Sequence, residues 1–111
     1  MKKIEAIIEP SDVQAMKDGL TSIGIGAMTV TEVKDFGSRD GLTQVYRGVR
    51  YQPPFLIEAK IEVVVTDDEM DRAVAMIQET AKKDASGESK VFIFPLEQVR
   101  QTGKKSIAAV S

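Results

Sequence analysis

Twice along this chain the apolar residues change period, from every second position to every third or fourth and back, with an unpatterned stretch between the two rounds. A strand turns successive side chains to opposite faces and a helix gathers them about every 3.6 residues, so this alternation dictates a β-α-β order in each half. In the first round Ile4, Ala6 and Ile8 share one side of residues 2–9, Ile7 takes the other, and Pro10 closes the strand. Ser11 and Gln14 then make a capping-box pair ahead of Val13, Met16, Leu20 and Ile23, which predicts a helix ending near Gly24. Residues 25–35 are rich in Val and Thr and set Met28, Val30 and Glu32 against Thr29, Thr31 and Val33, a second strand with one half-polar face.

The second round is clearer. Ile57, Ala59, Ile61, Val63 and Val65 alternate with Glu58, Lys60, Glu62 and Val64, a strand, and Thr66 with Glu69 repeats the capping-box signal. Met70, Val74, Ile77 and Ala81 line one face of the helix that follows, with acidic residues in 67–71 at its start and Lys82 and Lys83 at its end, both complementing the helix dipole. A polar loop, 84–89, leads to Val91-Phe92-Ile93-Phe94, apolar on both faces and closed by Pro95, which predicts a buried last strand. Between the two rounds, residues 36–55 keep no period and carry Gly37, Gly41, Gly48 and Pro53-Pro54, a long loop. Connections in compact domains usually run about 4–6 residues, so the length of this one points to function.

Assembled in order, these elements give an α+β, ferredoxin-like βαββαβ domain over residues 1–111, with the long loop between strands 2 and 3 and a C-terminal tail from about residue 96. The helices cover one face of such a sheet. Ile7, Val64 and either Val91 or Ile93 leave apolar side chains on the other, which predicts an oligomer.

Composition removes many functions. Cysteine and histidine are absent, so disulfides, thiolate chemistry, the usual zinc ligands and the commonest general base at neutral pH are all missing. A formal charge of -2 argues against nucleic acid as partner, the only basic cluster being the short run 100–105, and the strand 57–65 has no aromatic residue on which RNA bases stack. No run approaches the roughly eighteen consecutive apolar residues of a membrane span, and Glu5 interrupts the start before a signal-peptide core can form, so the expected location is the cytoplasm. Arginines stand at 39, 47, 50, 72 and 100 without a glycine-rich phosphate loop at a helix start, and the carboxylates near Asp67 are explained by capping. No catalytic residue or metal ligand is therefore assigned, and a binding module with a recognition loop is the expected class.

The segment Met28-Thr29-Val30-Thr31-Glu32-Val33-Lys34-Asp35-Phe36-Gly37, with Gly41, Thr43 and Tyr46-Arg47-Gly48-Val49-Arg50-Tyr51 after it, closely resembles the PII nitrogen-regulatory family. The resemblance runs from Lys2 to about Pro95 and includes the full length of the 36–55 loop, the T-loop with which that family engages its partners. It implies a homotrimer with adenine nucleotide (ADP, AMP or ATP) in clefts between neighbouring subunits. Carried over by position, adenine and ribose would lie near Met28 and Thr29 and near Glu62 and Val64, and the phosphates near Gly37 and Ser38, Gly87 and Lys90, and Arg100. Arg47, Gly48, Arg50 and Tyr51 fall in the partner-contact part of the loop, whose target would be a transporter or an enzyme.

Departures from the family pattern carry their own expectations. The glycine loop reads Lys83-Asp84-Ala85-Ser86-Gly87-Glu88-Ser89-Lys90, retaining Gly87 and Lys90, and Ser38 stands where the family has arginine. Fewer phosphate contacts favour ADP or AMP over ATP. Arg39 replaces a glutamine, and Glu58 replaces a lysine, of the family's 2-oxoglutarate site. The charge reversal at Glu58 opposes a dianionic ligand, so 2-oxoglutarate sensing is expected to be lost, with Arg39 left to grip another small anion such as bicarbonate. The alternative is a trimer of this family that acts as an interaction protein without sensing ligands.

Overall fold

The computed structural model describes residues 1–36, 55–81 and 90–103 in full, and the backbone of 44–46 and 49–51. Among the described residues, six strands and two α-helices follow in the order β1 (Lys2–Ile8), α1 (Val13–Ser22), β2 (Thr29–Asp35), β3 (Gln44–Tyr46), β4 (Val49–Tyr51), β5 (Leu56–Val65), α2 (Met70–Thr80) and β6 (Val91–Pro95). Four of the strands form one antiparallel sheet in the order β2-β5-β1-β6, and β3 pairs with β4 apart from it. The expected split arrangement is thus the observed one. No helix among the described residues is long and apolar enough to cross a membrane.

The core lies between the helices and the inner strands. Ile4, Ala6 and Ile8 of β1 stand opposite Val63, Ile61 and Ala59 of β5, and α1 and α2 close over them with Met16, Leu20, Ala73 and Ile77. Each helix is seated by its ends as well as its face. At the C-terminus of α1 the Ile25 amide donates to the Leu20 carbonyl (2.9 Å) and the Gly24 amide to that of Thr21 (3.0 Å). This is a Schellman motif, and it needs the left-handed backbone that Gly24 supplies at φ 89°. Before α2, Thr66 and Glu69 close the expected reciprocal box: the Thr66 amide donates to Glu69 Oε1 (2.9 Å) and the Glu69 amide to Thr66 Oγ1 (3.2 Å). The helices meet at Gly19, where a Cβ would lie 2.8 Å from Met76 Sδ.

Four sequence expectations need correction. The capping box at Ser11 and Gln14 does not form. A 3-10 turn over Pro10–Asp12 carries the chain into α1, and Ser11, inside that turn, lacks the extended backbone of a capping residue. Gln14 Nε2 donates instead along the helix to Asp18 Oδ1 at 3.0 Å. Second, residues 36–55 are not wholly irregular, because β3 and β4 pair Gln44 with Tyr51 and Tyr46 with Val49. Three-residue runs of β-forming side chains are too short to show a period.

Third, β6 is an edge strand whose Phe92, Ile93 and Phe94 are exposed rather than buried. The helices centre on β1 and β5 and leave that edge open. Fourth, Val91 and Ile93 stand opposite Ala6 and Ile4, so they belong to the helix side, and the apolar residues that β6 gives to the other face are Phe92 and Phe94.

Candidate functional site

Strand register orders the helix-free face of the sheet into rows, because directly opposed residues of antiparallel strands share a face. Val64, Lys3 and Phe94 make one row; Thr29, Glu62, Glu5 and Phe92 the next; Thr31, Lys60 and Ile7 the third. Apolar exposure flanks a charged centre here, with Val64 at 44%, Phe92 at 46% and Phe94 at 40% accessible.

Like charges stand directly opposed in the middle row, at Glu5 and Glu62, an unfavourable pairing when nothing intervenes. Lys3 intervenes. Its Nζ lies 3.2 Å from Glu5 Oε2 and 3.6 Å from Glu62 Oε2, while Lys60 Nζ stands 3.7 Å from the other oxygen, Glu62 Oε1. The Phe94 ring lies 4.9 Å from the same Lys3 ammonium. The hydrogen bond to Glu5 pushes the Lys3 ammonium above its ordinary value against a desolvating effect, and the charges of Glu5 and Glu62 add to the rise.

Of the residues assigned from sequence, this face brings together Thr29 and Glu62, directly opposed, with Val64 two places along β5. Met28 sits just before β2, half-buried against the core. Lys90 and Arg100 are exposed before and after β6, at the opposite edge of the sheet from β2. With strands about 4.8 Å apart, β2 and β6 are separated by about 14 Å within one chain. Gly37, Ser38, Arg39, Arg47, Gly48 and Gly87 lie outside the described residues, and Arg50 and Tyr51 are described only by the backbone of β4. Glu58 is buried, at 4% exposure.

At the mouth of the 36–55 segment, the rings of Phe36 and Phe55 meet at 5.5 Å, and Lys34 Nζ lies 4.8 Å from the Phe55 centroid. Neither this clasp nor the Lys3, Glu5 and Lys60 cluster was expected from the sequence. The signal for the cluster was present as the polar half of the alternation that marked both strands.

The family described as Nitrogen regulatory protein P-II matches residues 1–105 of the chain. The chain belongs to the P-II family. Nitrogen regulatory protein P-II of Klebsiella oxytoca is 45% identical over 112 residues, and that of Pasteurella multocida (strain Pm70) is 42% identical over 112 residues. Nitrogen regulatory protein P-II 1 of Escherichia coli (strain K12) is 44% identical over the same length. Each alignment covers 99% of this chain and 100% of the relative. The P-II family is one of signalling regulators.

Proposed function

We propose that this P-II protein is a homotrimer that binds adenine nucleotide between its subunits and regulates a target transporter or enzyme through the 36–55 loop. The observation that carries the reading is the juxtaposition of Thr29 and Glu62 beside exposed Val64. A hydroxyl and a carboxylate offer polar recognition of a base and its ribose, and an apolar side chain next to them offers a surface for the ring. Lys90 and Arg100, the cations suited to the phosphates, belong to the far edge of the sheet. Packing copies of the chain through their helix-free faces would bring one copy's far edge toward another's near edge and would also cover Phe92 and Phe94.

With Ser38 and the reduced glycine loop supplying few phosphate contacts, ADP or AMP is the favoured ligand over ATP. Glu58 is a buried carboxylate where a dianionic acid would need a cation, so 2-oxoglutarate does not couple to nucleotide binding. Arg39 provides a planar fork for a smaller anion, of which bicarbonate is the candidate. The signal passes as a population shift, the ligand favouring some loop conformations over others.

The test is calorimetric titration with AMP, ADP and ATP, each repeated with 2-oxoglutarate plus magnesium and with bicarbonate. Saturable binding of ADP or AMP, tightened by bicarbonate and indifferent to 2-oxoglutarate, is the expected result. Preference for ATP over ADP at equal magnesium would overturn the ligand order. Tightening by 2-oxoglutarate would overturn the loss of that sensing, and silence with every nucleotide would leave a trimer that acts without ligands.

A further inference from the structure

On the helix-free face, Glu62 is the acidic group next to Thr29, and its orientation depends on neighbours that no part of the nucleotide reading uses. Both of its oxygens face ammonium groups: Lys60 Nζ stands 3.7 Å from Oε1 and Lys3 Nζ 3.6 Å from Oε2. The two lysines are not equivalent. Lys60 neighbours Glu62 along the same strand, whereas Lys3 comes from β1 and also holds Glu5 at 3.2 Å, the carboxylate directly opposite Glu62. The Phe94 ring beside the Lys3 ammonium confines it further, since an ammonium is attracted to an aromatic face.

We propose that Lys3 is a positioning residue for the nucleotide, holding the Glu62 carboxylate beside Thr29 by neutralising the Glu5 carboxylate opposite it. The proposal rests on the adenine-nucleotide reading above. A carboxylate is an acceptor only, so it serves a nucleotide by receiving hydrogen bonds from a base N–H or a ribose hydroxyl, and it does so only when aimed at them. Without Lys3, Glu62 Oε2 loses its ammonium partner while Glu5 repels it across the strand pair, and the carboxylate leaves the position that these charges fix. The defect lies in the unanswered charge on Glu5, so removing that charge should correct it. Arginine at position 3 should also serve, because its guanidinium presents donors to both carboxylates.

The experiment is ADP titration by calorimetry of the full chain and of Lys3→Met, Lys3→Arg and Lys3→Met/Glu5→Gln, with the mass of each sample read by light scattering. Lys3→Met is expected to weaken ADP binding about tenfold, the scale of one hydrogen bond to a charged group, at unchanged mass. Lys3→Arg and the double variant should return to within about threefold of the parent. A purely structural role for Lys3 would show as a fall in mass that accompanies the loss of binding. Parent-like binding by Lys3→Met overturns the proposal, as does a double variant no better than the single one or a loss of binding that tracks a fall in mass. A parent chain that binds no ADP overturns the nucleotide reading itself, and this proposal with it.

Discussion

Replacing Phe94 by alanine tests the assembly, because the part of the ring left exposed within one chain remains for a neighbour to cover. At 40% exposure, a phenylalanine that can bury about 200 Å² has about 80 Å² still to lose, or about 2 kcal/mol per copy. Three copies in a closed ring lose about 6 kcal/mol, which at 1.4 kcal/mol per decade is roughly a 10⁴-fold fall in the trimer association constant. Trimer formation depends on the square of the monomer concentration at the midpoint, so the dissociation midpoint should rise about a hundredfold. Sedimentation velocity over a wide concentration range measures that midpoint, with far-UV circular dichroism confirming that the subunit remains folded. Equal midpoints for parent and variant would refute burial of this ring between copies, and a parent that is monomeric throughout would refute the trimer.

Three further outcomes concern the subunit. Ile61→Ala, at a position with no exposed surface on the central strand, should destabilise by about 2–5 kcal/mol in urea unfolding at matched protein concentration. Gly19→Ala should be more favourable in a Met76→Ala background than in the parent, because the new Cβ meets Met76 Sδ at 2.8 Å; a difference under about 0.3 kcal/mol would show that Met76 moves aside freely. Hydrogen bonds from the Thr66 amide and then its hydroxyl hold the Glu69 carboxyl below its ordinary value of 4.5, with Arg72 adding to the effect. A depressed folded value means that this stability is present above pH 4.5 and lost as pH falls through the folded value. The melting temperature of the parent should therefore converge on that of Glu69→Gln between pH 5 and the acid limit, and a gap that widens on acidification would reverse the assignment.

Strands such as 57–65 were legible because alternation over many residues leaves no other reading, and the end of α1 was legible because Gly24 is the residue a left-handed position favours. What escaped the sequence was information held between segments. Whether Ile93 or Phe94 faces the helices depends on its register with β1, and nothing within β6 states that register. The exposure of β6 likewise follows from its place at the sheet edge, a property of strand order rather than of its four consecutive apolar residues. The α1 start misled because a capping pair has its meaning only on an extended residue, and Pro10 had already begun the turn. At the candidate site, the resemblance named Thr29, Glu62 and Val64, and the register joined them; the lysines and Glu5 around them emerged only from cross-strand pairing.

The Phe36–Phe55 clasp has a consequence for how this protein can diversify. It brings the ends of the intervening segment together. Doubling the length of a closed loop adds only about 0.6 kcal/mol of closure entropy. Cassettes of other lengths and compositions can therefore be spliced between the two rings with little penalty to the sheet.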